Sequence, residues 1–379
     1  MKIGILTLPL NANYGGILQA YALQSVLKQM GHEVWIVNRL TRGMPLKMKI
    51  LSLVRRLILR IIFHRNVVVR TWPTLKEERI MNQHTNRFIK ENINTTELIG
   101  SERNFSHLKK YSFDVIVVGS DQVWRPKYSP CLKNHFLHFI RTQNTTKRIA
   151  YAASFGVDKW EFSPKQTSEC SNLAKLFAAI SVREDSAVEL CKKYLGVKAV
   201  QLPDPTLLLT KDDYVKLVEK DNIQRLEGTL LTYVLDLTAE KKVIIQKVIN
   251  EIGLTPVSVM PENLFREVGM KKLNSCVSPP VTNWIRGFMD AEYVVTDSFH
   301  GTVFSIIFNK PFLAIGNSKR GMTRFASLLR LFGLEDRLIL TTEDLDLNML
   351  KTPIDFAKIN QILKINQNQA FAFLNDSLK

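Results

Sequence analysis

Apolar and polar residues alternate along this chain in short blocks, and the period switches repeatedly between that of a buried strand and that of a helix. Residues 2–8 are a near-continuous apolar run of strand length. Residues 16–30 carry apolar side chains at helical spacing with Gly31 just past the end, and residues 33–37 are strand-like again, which makes an opening βαβ unit. Residues 113–118, 148–153 and 179–182 are further short apolar runs, each followed by a polar or glycine-bearing turn, as expected of strands in a parallel sheet. The proline-bracketed stretch Leu202-Pro203-Asp204-Pro205-Thr206 cannot continue a helix and predicts a linker. Beyond it the series resumes, with strands at 229–235, 256–259, 293–296 and 311–315 and helices at 241–252, 281–290 and 302–308. The expected fold class is α/β with two Rossmann-like lobes, residues 1–205 and 206–345. Residues 346–379 form a tail whose helix, from about 354 to 378, crosses back onto the first lobe.

The 379 residues are about twice the usual length of one domain, and an apolar fraction of 45% is ample for two packed cores. Met1 is followed by Lys2 and then a strand, with no small-residue cleavage site, so a cytoplasmic location is expected. Cys131, Cys170, Cys191 and Cys276 are scattered without CxxC or Cys/His spacing. They are expected to be buried free thiols, and no metal site is predicted.

A formal charge of +17 alters the picture, because such a field attracts nucleic acid, anionic lipid or phosphorylated small molecules. Nine Lys or Arg residues lie between Arg39 and Arg70 without one Asp or Glu. Read as a helix, the segment 45–65 gathers Ile50, Val54, Leu57, Ile58 and Ile61 on one side and Lys49, Arg56 and Arg60 on the other. Two readings stay open: an interfacial helix peripheral to the inner face of the cell membrane, or a surface helix packed on its own lobe. It is too charged to span a bilayer. Nucleic acid is not expected, since neither a binding motif nor an aromatic platform accompanies the charge.

Four constellations can carry chemistry. Asn13, Tyr14, Gly15 and Gly16 follow the first strand where a helix begins, and glycines there let backbone amides approach an anion, although a plain tight turn explains them almost as well. The spacing is not GxGxxG. Asp297, Ser298 and His300 occupy a second strand-to-helix turn; the imidazole there can shuttle a proton or bind phosphate, or be a core histidine paired to backbone. Lys319, Arg320 and Arg324 follow the next strand and can reach the same crevice as an anion clamp, or form a solvated basic loop. Arg183 and Glu184 end a strand, aimed at the cleft or paired on the surface. Asp121, Gln122 and Trp124 end another, with Asp121 placed as a base or sugar ligand and Trp124 as a stacking surface, against capping by Asp121 and burial of Trp124.

In this order, Gly4-Ile5-Leu6 with Asn13-Tyr14-Gly15-Gly16, Val118-Gly119-Ser120-Asp121, Ile180-Ser181-Val182-Arg183-Glu184 and Asp297-Ser298-Phe299-His300-Gly301 resemble the polysaccharide pyruvyl transferases over roughly residues 2–335. The resemblance implies a GT-B-like pair of lobes facing across a cleft and transfer of pyruvate from phosphoenolpyruvate to a sugar as a ketal, in capsule or exopolysaccharide synthesis. It implies phosphoenolpyruvate as donor substrate rather than a bound cofactor, a lipid-linked sugar as acceptor on the first lobe and the donor anion on the second. Some members carry an Arg where this chain has Ser298, and Lys319 or Arg320 are the candidates to replace that charge. The chemistry needs an acid, a base and an anion clamp. His300 is the first candidate for proton transfer, Asp121 or Glu184 for the acceptor hydroxyls, and Arg183, Lys319 and Arg320 for the anion. Two rivals remain, a GT-B glycosyltransferase using a nucleotide sugar and a non-catalytic sugar-binding subunit.

Overall fold

The computed structural model of the chain describes residues 1–40, 45–100, 102–129, 131–140, 145–317 and 320–379. It contains two all-parallel sheets. The first comprises β1 (Lys2–Leu6), β2 (Glu33–Ile36), β3 (Val115–Val118), β4 (Lys147–Ala153), β5 (Ala179–Val182) and β6 (Val200–Gln201), in the order β2-β1-β3-β4-β5-β6. The second comprises β7 (Leu230–Tyr233), β8 (Pro256–Val257), β9 (Tyr293–Thr296), β10 (Phe312–Ile315) and β11 (Leu338–Ile339), in the order β11-β10-β9-β7-β8. Both orders reverse direction once, between β1 and β3 and between β7 and β9. At such a reversal the connections leave on opposite sides, and a crevice opens beyond the carboxyl ends of the two strands.

The central strands are apolar on both faces because helices cover both. Ile3 and Ile5 of β1, Val115, Val117 and Val118 of β3, and Val294 and Val295 of β9 have no exposed surface. Helix Tyr14–Gln29 is apolar nearly all round, and eleven of its residues are buried. It lies between the lobes, so a single core runs from Ile17 and Leu23 through Leu207 and Tyr214 to Trp284 and Phe304. Tyr14 stacks on Trp284 with ring centroids 5.8 Å apart, joining the first loop of one lobe to helix Val281–Asp290 of the other.

The stretch expected to be a linker is an internal strut instead. Pro205–Leu208 is a short helical turn capped by Asp204, and all four of its residues are buried. The C-terminal helix Phe356–Leu378 returns across it: Gln367 Nε2 donates to the Leu207 carbonyl at 2.8 Å, and Phe373 reaches Tyr151 of β4. Helix Leu46–Ile61 forms as the periodicity predicts, but contacts from Arg56 to the Val68 carbonyl and from Lys49 to the Trp72 ring hold it by its polar side, with none of its residues buried.

Candidate functional site

The two crevices face one another and enclose a cavity of about 430 Å³. Its walls come from the loop after β1 with Asn13 and Tyr14, the loop after β3 with Asp121 and Gln122, and the turn after β9 with Ser298 and His300.

Asn13 caps helix Tyr14–Gln29, its side chain accepting from the Gly16 amide at 3.2 Å. That helix end meets the second lobe at Gly15, which is buried. A Cβ on Gly15 would stand 2.1 Å from His300 Nδ1 and 2.3 Å from His300 Cγ, so the imidazole of the second lobe lies directly against the backbone of the first. Only glycine admits that approach. Tyr14 lines the cavity with its hydroxyl tied down, donating to the Pro279 carbonyl at 2.8 Å.

His300 occupies the second position of helix Phe299–Ile307, every residue of which is buried, and Ser298 caps that helix by accepting from the Gly301 amide at 3.3 Å. Behind the ring, His300 Nε2 faces Asp204 Oδ2 at 3.6 Å. Asp204 is fully buried and accepts from the Thr206 amide and hydroxyl and from Arg183 Nη1, the last at 2.7 Å. Burial alone would raise the Asp204 pKa, but the facing imidazole, Arg183 and Thr206 outweigh it and hold the carboxyl well below the usual range. An ionised carboxylate thus stands 3.6 Å behind a ring nitrogen that has no hydrogen-bond partner. The sequence hid Asp204 in a proline-rich stretch; a carboxylate between two prolines, just ahead of the apolar run Leu207-Leu208-Leu209, was the available clue.

Arg183 is not a cavity cation. It lies buried behind Phe299, whose ring its guanidinium covers at 4.5 Å, and it bonds Asp204, with Asp121 and Glu184 at 3.6 and 3.7 Å. Burial would lower its pKa, and these three carboxylates reverse that and raise it. Glu184 likewise stands behind the cavity wall, bonded by the Ser154 hydroxyl, and burial holds its pKa up. Asp121 does line the cavity. It adopts a left-handed conformation with φ 68°, tolerated by Asp, and its Oδ1 accepts from the Gln122 amide at 2.8 Å. Gln122 lies beside it and accepts from Arg125 Nη1 at 3.1 Å. Trp124 corrects the stacking expectation: it has no exposed surface, its ring packs on Phe136 with centroids 4.9 Å apart, and its Nε1 donates to the His135 carbonyl.

On the second lobe, Asp297 is a brace. It accepts from the Leu235 and Asp236 amides at 2.6 and 3.1 Å and pairs with Lys241 at 2.6 Å, tying the ends of β7 and β9 together. Arg320 forms a two-pronged pair with Asp236, at 2.6 and 3.2 Å, which balances its charge. Lys319 lies outside the described residues. Among the described residues of this loop and helix, the candidate cation without a carboxylate ion pair is Arg324, in the first turn of helix Thr323–Phe332. It is buried, lines the cavity and covers Phe299 at 5.4 Å; it also lines a space of about 150 Å³ behind that ring, which Arg183 shares. Arg324 Nη2 donates to the Arg320 carbonyl at 2.6 Å, while Nε has no partner. Burial, and Arg183 as a like charge, push its pKa down to about 10, so it is still a cation at neutral pH. A helix N-terminus disfavours a cation further. Among the described residues, no cluster of three or more His, Cys, Asp or Glu is arranged to hold a metal.

The fold and this inter-lobe site define a two-lobed α/β protein of the GT-B-like kind. Residues 13–319 match the family model of the polysaccharide pyruvyl transferases, and the chain belongs to that family. Its shape is similar to S. aureus MnaA in a co-structure with UDP, at 12% identity and TM-score 0.50 over 96% of this chain and 87% of that one. It also overlays, at 10% identity and TM-score 0.48, on a glycosyltransferase from Rickettsia africae ESF-5 over 100% and 97% of the two chains. No curated protein matches it in sequence.

Proposed function

We infer that the cavity binds phosphoenolpyruvate and a sugar bearing two neighbouring hydroxyls, and that the chain transfers the pyruvyl group as a cyclic ketal, within the polysaccharide role its family implies. The carrying observation is Arg324: a buried guanidinium, short of a partner at Nε, beside a second guanidinium and at a helix N-terminus, is an arrangement that a bound phosphate or carboxylate relieves. The N-terminal amides of helix Phe299–Ile307, next to it, favour the same ligand.

The chemistry balances on the groups present. Protonation of the donor methylene carbon makes it a methyl group and leaves a cation-like centre at the adjacent carbon. One sugar hydroxyl bonds to that centre and loses its proton, phosphate departs with its bonding electron pair, and the second hydroxyl closes the ring. Of the two hydroxyl protons, one replaces the proton now in the methyl group and the other leaves with phosphate. His300, backed by Asp204, delivers and collects protons; Asp121 orients the acceptor hydroxyls; Arg324 and the helix amides hold the phosphate as charge builds on it.

Arg324→Met should weaken binding of phosphoenolpyruvate and inorganic phosphate by roughly tenfold to a hundredfold, since hydrogen bonds to charged groups contribute about 1.5–3 kcal/mol. The same variant should melt higher than wild type without anion. His300→Gln should cut ketal formation, read by the pyruvyl methyl resonance and phosphate release, by about a hundredfold or more while donor binding falls less. A sugar nucleotide that binds while phosphoenolpyruvate does not would replace this reading with glycosyl transfer. Normal turnover with poor donor binding in His300→Gln would make His300 a phosphate ligand.

A further inference from the structure

Helix Leu46–Ile61 presents its apolar side outward. Ile50, Val54, Leu57, Ile58 and Ile61 fall on one stripe at helical spacing, and they are 41% to 65% exposed. Ile62 and Phe63 extend the stripe and are also more than half exposed. The opposite side is the one tethered to the protein: Arg56 Nη1 donates to the Val68 carbonyl at 2.7 Å, and Lys49 Nζ lies 5.9 Å over the Trp72 ring. The helix is therefore held by two of its cations with its greasy face to the outside, the reverse of what packing on its own lobe would produce.

We propose that this stripe docks the protein on an anionic lipid surface. Lys47, Arg55, Arg60 and Arg65 are exposed around it, and no Asp or Glu occurs from residue 34 to residue 76. Apolar side chains enter the boundary between headgroups and acyl chains, while the flanking cations meet the headgroup charge. A second copy of the chain is a poorer occupant, because pairing stripe to stripe brings two sets of cations together with no acid to separate them. The helix is about 24 Å long at the usual rise and lies along the surface. Among the described residues no helix is long and apolar enough to cross a membrane.

The support of this helix is also the rim of the cavity. Val68 packs against Gly269, and the Arg70 guanidinium covers Phe265, a cavity-lining residue, at 5.3 Å while pairing with Glu77. On the pyruvyl transfer reading, on which this clause rests, the surface delivers a lipid-borne sugar to that rim.

The test is co-sedimentation of the purified full chain with vesicles of mixed phosphatidylglycerol and phosphatidylcholine, against phosphatidylcholine alone, at low and high salt. Wild type should partition onto the anionic vesicles, and high salt should weaken it. Val54→Asp with Ile61→Asp, and separately Arg55→Glu with Arg60→Glu, should each lower partitioning at least about tenfold. Both variants should keep wild-type phosphate release from phosphoenolpyruvate with a free sugar, since none of these residues lines the cavity. Vesicle binding is read without donor or acceptor, so it can fail while pyruvyl transfer stands, and the reverse. No partitioning at low salt, or wild-type partitioning in both variants, overturns the proposal. So does sedimentation showing that the stripe joins two copies of the chain.

Discussion

Replacing Gly15 by Ala tests whether the two lobes build one active site. The added methyl would sit 2.1 Å from His300 Nδ1, 2.3 Å from Cγ and 2.8 Å from Cβ, where ordinary contact begins near 3.4 Å. Relief requires the ring to move by more than an ångström. The backbone of His300 cannot follow, because all nine residues of its helix are buried. The imidazole must therefore turn off Asp204 or the lobes must part. A misplacement of about 1 Å in a reacting group costs on the order of a hundredfold in rate. Ketal formation in Gly15→Ala should fall by about that factor, with phosphoenolpyruvate affinity changed much less because Arg324 is untouched. The control is a cycle with His300→Gly, which removes the ring and the Cβ and so vacates the space. In that background Gly15→Ala should cost no further activity and should stabilise the chain by about 0.4–1 kcal/mol, as glycine-to-alanine changes do where the backbone allows them. Gly15→Ala with turnover within a few-fold of wild type, or an equal loss in both backgrounds, would refute the argument that His300 acts from this position.

Two further substitutions separate structure from chemistry elsewhere. Trp124→Ala should destabilise the protein by about 3–5 kcal/mol in urea unfolding, the usual range for emptying a buried aromatic site, while Trp124→Phe keeps acceptor affinity unchanged. Loss of acceptor affinity in the Phe variant without loss of stability would restore a stacking role. At Glu77, the hydrogen bonds from Arg70 outweigh burial and hold the carboxyl at about 2, against 4.5 for the free group. The pair therefore contributes its full stability above pH 4.5 and loses it as pH falls toward 2. The stability gap between wild type and Glu77→Gln, measured by denaturant at pH 6 and again near pH 3, should shrink on acidification, and a constant gap would sink the assignment.

Local patterning was enough for most of the elements. The run of β-branched residues at 115–118 and the helix ended by Gly31 are dictated by short-range chemistry, because burial on both faces of a parallel sheet needs continuous apolar residues and a helix end needs a residue free to turn. The strand-to-helix turns bearing Asn13 and His300 were legible for the same reason. What the sequence could not determine was which long-range pairs form. Asp204 read as a linker residue because its partners Arg183 and His300 are 21 and 96 positions away. Trp124 and Glu184 follow strands ending at the cleft, yet the tertiary fold turns one into the core and the other behind the wall. Among neighbouring cations, Arg320 is balanced by Asp236 from another strand's loop, while Arg324 is left charged and short of a partner. Patterning decides where a chain can bury surface. Only the packed structure decides which charges are neutralised when it does, because electrostatic partners meet across sequence distances that no local period encodes.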